Sequence, residues 1–126
     1  FFRNNSALYF ASTNFYVGFY NGNISETTEL STIPNEPPAT YGYSRQVIER
    51  STVGWPSIEK HEGDWRVISK MITYTASGGN IGPITGAFFG TGAASTGALI
   101  GSLSWGIEKT IESGASIDIT LRVKLK

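Results

Sequence analysis

Cysteine is missing from this chain, and charge of either sign is scarce. The first absence excludes disulfides, cysteine-based zinc sites and thiol catalysis. Ten basic residues balance ten acidic ones, without any block of like charge. The basic surplus with which nucleic-acid binders meet phosphate is therefore lacking. A single histidine leaves no second imidazole for the usual catalytic metal centre. No basic stretch followed by a long apolar run opens the chain, so a signal peptide is not legible. The start at Phe1 without a methionine predicts further residues upstream, completing a helix that carries Phe1 and Phe2.

Charge also vanishes locally: none occurs between Lys70 and Glu108. An uncharged run of that length raises the question of a membrane span. Glycine at 78, 79, 82, 86, 90, 92, 97, 101 and 106, together with Pro83, instead reads as short buried strands joined by turns. No membrane association is expected.

What is present alternates. In "ASIDITLRVKLK" the apolar Ala115, Ile117, Ile119, Leu121, Val123 and Leu125 interleave with polar neighbours. On a strand, that pattern offers one apolar and one wet face. Ala115 to Leu125 is thus expected to be one long strand with Ile117, Ile119, Leu121 and Val123 facing the core. Upstream, Phe15 to Tyr20 reads as a strand closed by the turn signal "NGN". A loop containing Pro34, Pro37 and Pro38 follows, since proline cannot donate to a ladder. Strands are expected from Tyr41 to about Ser51 and from Trp65 to Thr75, separated by a loop "VGWPSIEKHEGD". Ile84 to Phe89 and Ala98 to Trp105 should pair across "GTGAASTG". No apolar helical rhythm persists over three turns. About six to eight short strands without crossover helices predict one domain over 1–126, an all-β, jelly-roll-like antiparallel sandwich.

Chemistry is hard to find. His61 stands beside Glu59, Glu62 and Asp64, adjacent rather than convergent, and reads as a solvated loop cluster. "GTGAASTG" lacks the Lys-Ser or Lys-Thr pair of a phosphate loop. No G-x-S-x-G elbow occurs. Neither a catalytic residue nor a metal or cofactor is expected. The aromatics say more: Tyr41, Tyr43, Trp55 and Trp65 flank the loops. They read either as rings plugging the ends of the sandwich or as contacts for a partner or glycan. On the last strand's wet face, Arg122, Lys124 and Lys126 with only Asp118 among them make a local cationic surplus. Such a surplus would steer docking onto an acidic partner surface.

The order of motifs resembles a family of short tailed-bacteriophage virion proteins commonly labelled tail-fibre or tail-fibre-like. Their opening is similar to "FRNNSALYFAS", and a "lyvaLyt" strand corresponds to "NFYVGFYNGN". A "GYaRQ" signature is matched by "GYSRQ", Gly42 to Gln46, the most specific element together with the "KTIESGAS" turn. "IGPITGAFFGT" is similar to the family's "WG-x-(I/V)-x-x-x-GIFD" strand, with Ile81-Gly82 in place of Trp-Gly and "FFGT" in place of the "FD" ending. "GALIGSLSWGIEKTIESGASIDI" and the ending "TLRVKLK" continue the likeness, which spans the whole chain. The insert "GWPSIEKHEGDWRVISKM" is longer and more charged than the family pattern. The resemblance implies a non-enzymatic virion component made in the host cytoplasm, homo-oligomeric and bound to tail, baseplate or major capsid proteins. Capsid decoration is the alternative to a tail position, and receptor recognition through a host glycan is a further one.

Overall fold

In the computed structural model, residues 14–93 and 97–124 are described. They form nine strands: β1 (Asn14–Tyr20), β2 (Gln46–Glu49), β3 (Ser57–His61), β4 (Asp64–Ile68), β5 (Ile72–Thr75), β6 (Ile81–Gly90), β7 (Leu99–Ile111), β8 (Ser116–Ile119) and β9 (Arg122–Lys124). Every pairing is antiparallel. A four-stranded sheet runs β2-β1-β6-β7, a three-stranded sheet β3-β4-β9, and β5 pairs with β8. The fold is an antiparallel β-sandwich, as the alternation and turn signals predict. Residues 1–13, including the N-terminal helix expected from Phe1, and Leu125 and Lys126 lie outside the described residues. Among the described residues no helix is long and apolar enough to cross a membrane.

The small sheets are two parts of one bent ribbon. β4 pairs with β9 as Ile68↔Arg122, and β5 pairs with β8 as Ile72↔Ile119. The register slips by one residue between these pairs, which is the signature of a bulge, and bulges bend and twist a ribbon. Ser69 holds the bend: its N–H donates to the Leu121 carbonyl at 2.9 Å, and its Oγ accepts from Leu121 N–H at 2.8 Å. The single strands expected over Trp65–Thr75 and Ala115–Leu125 are each divided here. The alternation nevertheless survives the bend. Val123 is buried and Ile117, Ile119 and Leu121 are half-buried, whereas Ser116, Asp118, Arg122 and Lys124 are exposed.

Two further expectations change. The strand predicted from Tyr41 to Ser51 shrinks to β2, because Tyr41 (φ 54°) and Gly42 (φ 88°) turn the chain and send Tyr43 inward. The predicted loop "VGWPSIEKHEGD" contains β3. His61↔Asp64 closes a two-residue hairpin over Glu62 and Gly63, at φ 51° and 86°. Positive φ at both central residues matches the right-handed twist of the flanking strands.

The main core lies between the sheets. Phe15, Val17 and Phe19 of β1 meet Ile72 and Tyr74 of β5 and Ala87 and Phe89 of β6. A second cluster covers the opposite face of β1 and β6, where Tyr20, Phe88 and Leu99 pack with Leu30 from the proline-rich loop. Sheet strands covered on both faces lose their alternation. β1 accordingly buries Val17 through Tyr20 without a break.

Candidate interaction surfaces

The "GYSRQ" segment ties the fold shut from within. Beyond Val17, no strand among the described residues pairs with β1 on its β2 side. Two tyrosine hydroxyls replace the missing strand: Phe19 N–H donates to Tyr43 Oη at 3.1 Å, and Tyr74 Oη donates to the Val17 carbonyl at 2.6 Å. Buried main-chain groups need such partners. The two rings stack, with centroids 5.8 Å apart. Tyr43 Oη donates in turn to Glu36 at 2.6 Å, and Glu36 accepts from Arg45 Nη2 at 2.8 Å and Nε at 2.9 Å. Arg45 also donates to the Leu30 and Gly92 carbonyls, each at 3.2 Å, and lies over the Phe88 ring. Its bonds to Glu36 raise the guanidinium pKa, while burial pushes the Tyr43 and Tyr74 phenols well above their ordinary value. Gly18 makes room, since a Cβ there would stand 2.6 Å from both Tyr43 Oη and the Phe88 ring. Gln46 completes the knot by donating to the Thr73 carbonyl at 2.7 Å. The polar atoms of this motif serve closure of the proline-rich loop.

The second polar cluster lies on the β3-β4-β9 sheet. Cross-strand register aligns Glu59, Arg66 and Lys124 in one row, with His61 and Asp64 paired beside it. Residues directly opposite on antiparallel strands share a face. Arg66 pairs with Glu59, and Lys124 Nζ lies 2.9 Å from Asp64 Oδ2. His61, Glu62, Asp64, Arg66, Arg122 and Lys124 line an open hollow of about 210 Å³. The cationic surplus read from β9 is thus offset by acids on β3 and β4. Lys124 is engaged, Arg122 is exposed, and Lys126 falls outside the described residues. His61 lies at the hairpin's tip, and among the described residues no group of three or more His, Asp or Glu could hold a metal ion.

The four aromatic candidates separate. Tyr43 is buried in the core with its hydroxyl bonded internally, and is unavailable for an outside contact. Trp55 is half-buried, packed edge-on against Phe15 with ring centroids 5.9 Å apart. Tyr41 and Trp65 remain exposed, at 49% and 51%. Trp65 shares a face with Lys60 opposite it and with Ile58 diagonally across the hairpin. Sequence reasoning did not single out the apolar side chains that stand most exposed: Leu103 at 71%, Met71 at 64% and Ile107 at 63%.

Leu103 and Ile107 lie on β7, the edge of the larger sheet. Gly86↔Ser104 gives way to Ile84↔Lys109, so β7 carries extra residues that bulge outward around Gly106 (φ 78°). Trp105 tucks back edge-on against Phe19, leaving Leu103 and Ile107 outside. The missing charge over 71–107 was the available signal. From Leu99 to Ile107 this edge carries no ionic side chain, one of the ordinary means of keeping a strand from pairing with other chains.

No family model, curated protein or solved structure matches the chain.

Proposed function

We propose that this chain is a non-enzymatic structural module of a tailed-phage virion that works by packing against other virion proteins. The reading rests on the whole-chain resemblance, and one structural observation supports it. The Tyr43 and Arg45 side chains of the "GYSRQ" signature are consumed in internal hydrogen bonds, while Leu103 and Ile107 stand outside on an uncharged portion of a strand edge. Buried ionic groups used up internally bring no chemistry to a substrate. Uncharged surface, by contrast, is cheap to bury between subunits because no ion is desolvated.

The test is made on particles of the virus that encodes the chain. Mass spectrometry of purified virions should find the protein in fixed multiple-copy stoichiometry, and a virion reconstruction should locate its sandwich in the tail, at the baseplate or on the capsid lattice. Its absence from particles would overturn the proposal. The competing glycan reading draws on the exposed Tyr41 and Trp65. Retention of the free protein on a glycan array, lost in Trp65→Ala, would favour that reading.

A further inference from the structure

The sheet edges differ in their defences. β3 and β9, the edges of the three-stranded sheet, span five and three residues and carry Glu59, Lys60, Arg122 and Lys124. β2 spans four residues and ends at Glu49. Short length and charge are the ordinary means by which an edge is kept single. β7 is long, at thirteen residues, and its charges are confined to Glu108 and Lys109, leaving the portion from Leu99 to Ile107 uncharged.

We infer that the β7 edge is an interface between copies of this chain, pairing antiparallel about a two-fold axis close to Leu103. The partner is identified by charge and symmetry. An acidic or basic protein would find no opposite charge between Leu99 and Ile107, whereas a second copy brings an equally uncharged stretch. The whole chain carries a formal charge of zero, so like copies do not repel one another through net charge. Antiparallel self-pairing is also isologous: the same surface serves both subunits, and the contact closes on itself. Centred on Leu103, it sets the most exposed large apolar side chain among the described residues against its own counterpart, as a cross-strand pair. β6 already pairs with β7 through Ala87↔Leu103, so the joined sheets would continue as one, β2-β1-β6-β7 followed by the same order reversed. A contact of one strand and a few side chains is smaller than the roughly 1,200 Å² of a stable interface. Association of free chains is therefore weak and concentration-dependent, strengthened where many copies are held side by side. This inference deepens the virion proposal and is separable from it, because it is read on the free protein.

The absence of cysteine makes the test clean. Leu103→Cys introduces a single thiol, and a two-fold axis at that position brings two of them together. Under mild oxidation, Leu103→Cys should yield a covalent dimer, whereas Val53→Cys, also exposed but off the edge, should not. In sedimentation equilibrium the unmodified protein should rise from one toward two chain masses as concentration increases. Leu103→Lys should remain monomeric over the same range with an unchanged circular-dichroism spectrum. A wild-type chain monomeric at every concentration would overturn the inference. So would equal cross-linking at positions 53 and 103, or a dimer indifferent to Leu103→Lys. Incorporation into particles is scored separately, so a failed dimer and a failed virion assignment give different results.

Discussion

The two layers of this sandwich treat charge in opposite ways. The four-stranded sheet is closed by an ion pair held inside: Arg45 and Glu36, with side chains 8% and 22% exposed, lock the proline-rich loop over β1 and β6, while Glu49, Glu108 and Lys109 stand exposed on its strands. The three-stranded sheet displays its ionic groups outside, Glu59 with Arg66 and Asp64 with Lys124, on strands that end in solvent. The first arrangement fixes the fold and leaves a neutral edge open. The second contributes little stability but shields short edges from unwanted pairing. Charge therefore organises closure in one layer and solubility in the other, and the following changes should separate those roles.

The largest contrast comes from removing one arginine from each layer. Arg45→Ala leaves Glu36 without its fork and the Leu30 and Gly92 carbonyls without a donor. Stranding one partner of a buried pair costs about 3–5 kcal/mol. Arg66→Ala on the open sheet should cost about 1 kcal/mol or less, because exposed pairs are screened by solvent. Urea unfolding of both variants, read as the shift in midpoint, measures the difference. Equal losses would dissolve the distinction between the layers.

Alkaline pH should attack the closed layer selectively. The Tyr43 and Tyr74 phenols are raised by burial, so the folded state holds their protons more tightly than the unfolded chain does. Their contribution is complete below the unfolded phenol pKa of about 10 and is lost as pH rises above it toward the folded values. Ultraviolet phenolate absorbance should show these two titrating only together with unfolding. Tyr74→Phe removes the donor to the Val17 carbonyl and should cost about 1–3 kcal/mol.

A milder test falls on the bend that joins the small sheets. Truncation of a fully buried leucine costs about 2–5 kcal/mol. Leu121 is only half-buried at the bulge, so Leu121→Ala should cost less, about 1–2 kcal/mol by the apolar area involved. The reason also marks the limit of what the sequence made legible. Alternation from Ser116 to Lys124 assigned the faces, because a residue's face depends only on period. It could not locate the bend, which depends on Ser69, some fifty positions earlier, bonding Leu121 twice. Tyr43 was misplaced for a similar reason: Tyr41 and Gly42 look like strand continuation until their positive φ values turn the chain. "GYSRQ" was visible as a motif, but its work needs Glu36, Val17 and Phe19, which no local pattern connects to it. Leu103 escaped notice because alternation and an uncharged run both read as burial, and only the topology makes β7 an edge.

The smallest expected effect concerns the wet face of β9. From sequence, Arg122, Lys124 and Lys126 form a cationic surface for an acidic partner. In the fold Lys124 is committed to Asp64, and no ion pair among the described residues engages Arg122. Steering should then depend chiefly on Arg122. Arg122→Glu should slow docking onto particles stripped of the protein a few-fold at low salt, while stability stays within about 0.5 kcal/mol. The difference should vanish near 1 M salt, where the screening length falls to about 3 Å. Lys124→Glu should behave differently, because it sets an acid beside Asp64 and lowers stability at low salt before it alters any partner. Stopped-flow docking rates paired with thermal melts distinguish the two. Identical rates for Arg122→Glu and wild type at every salt concentration would reduce this face to the same solvating, edge-guarding role as the rest of its sheet.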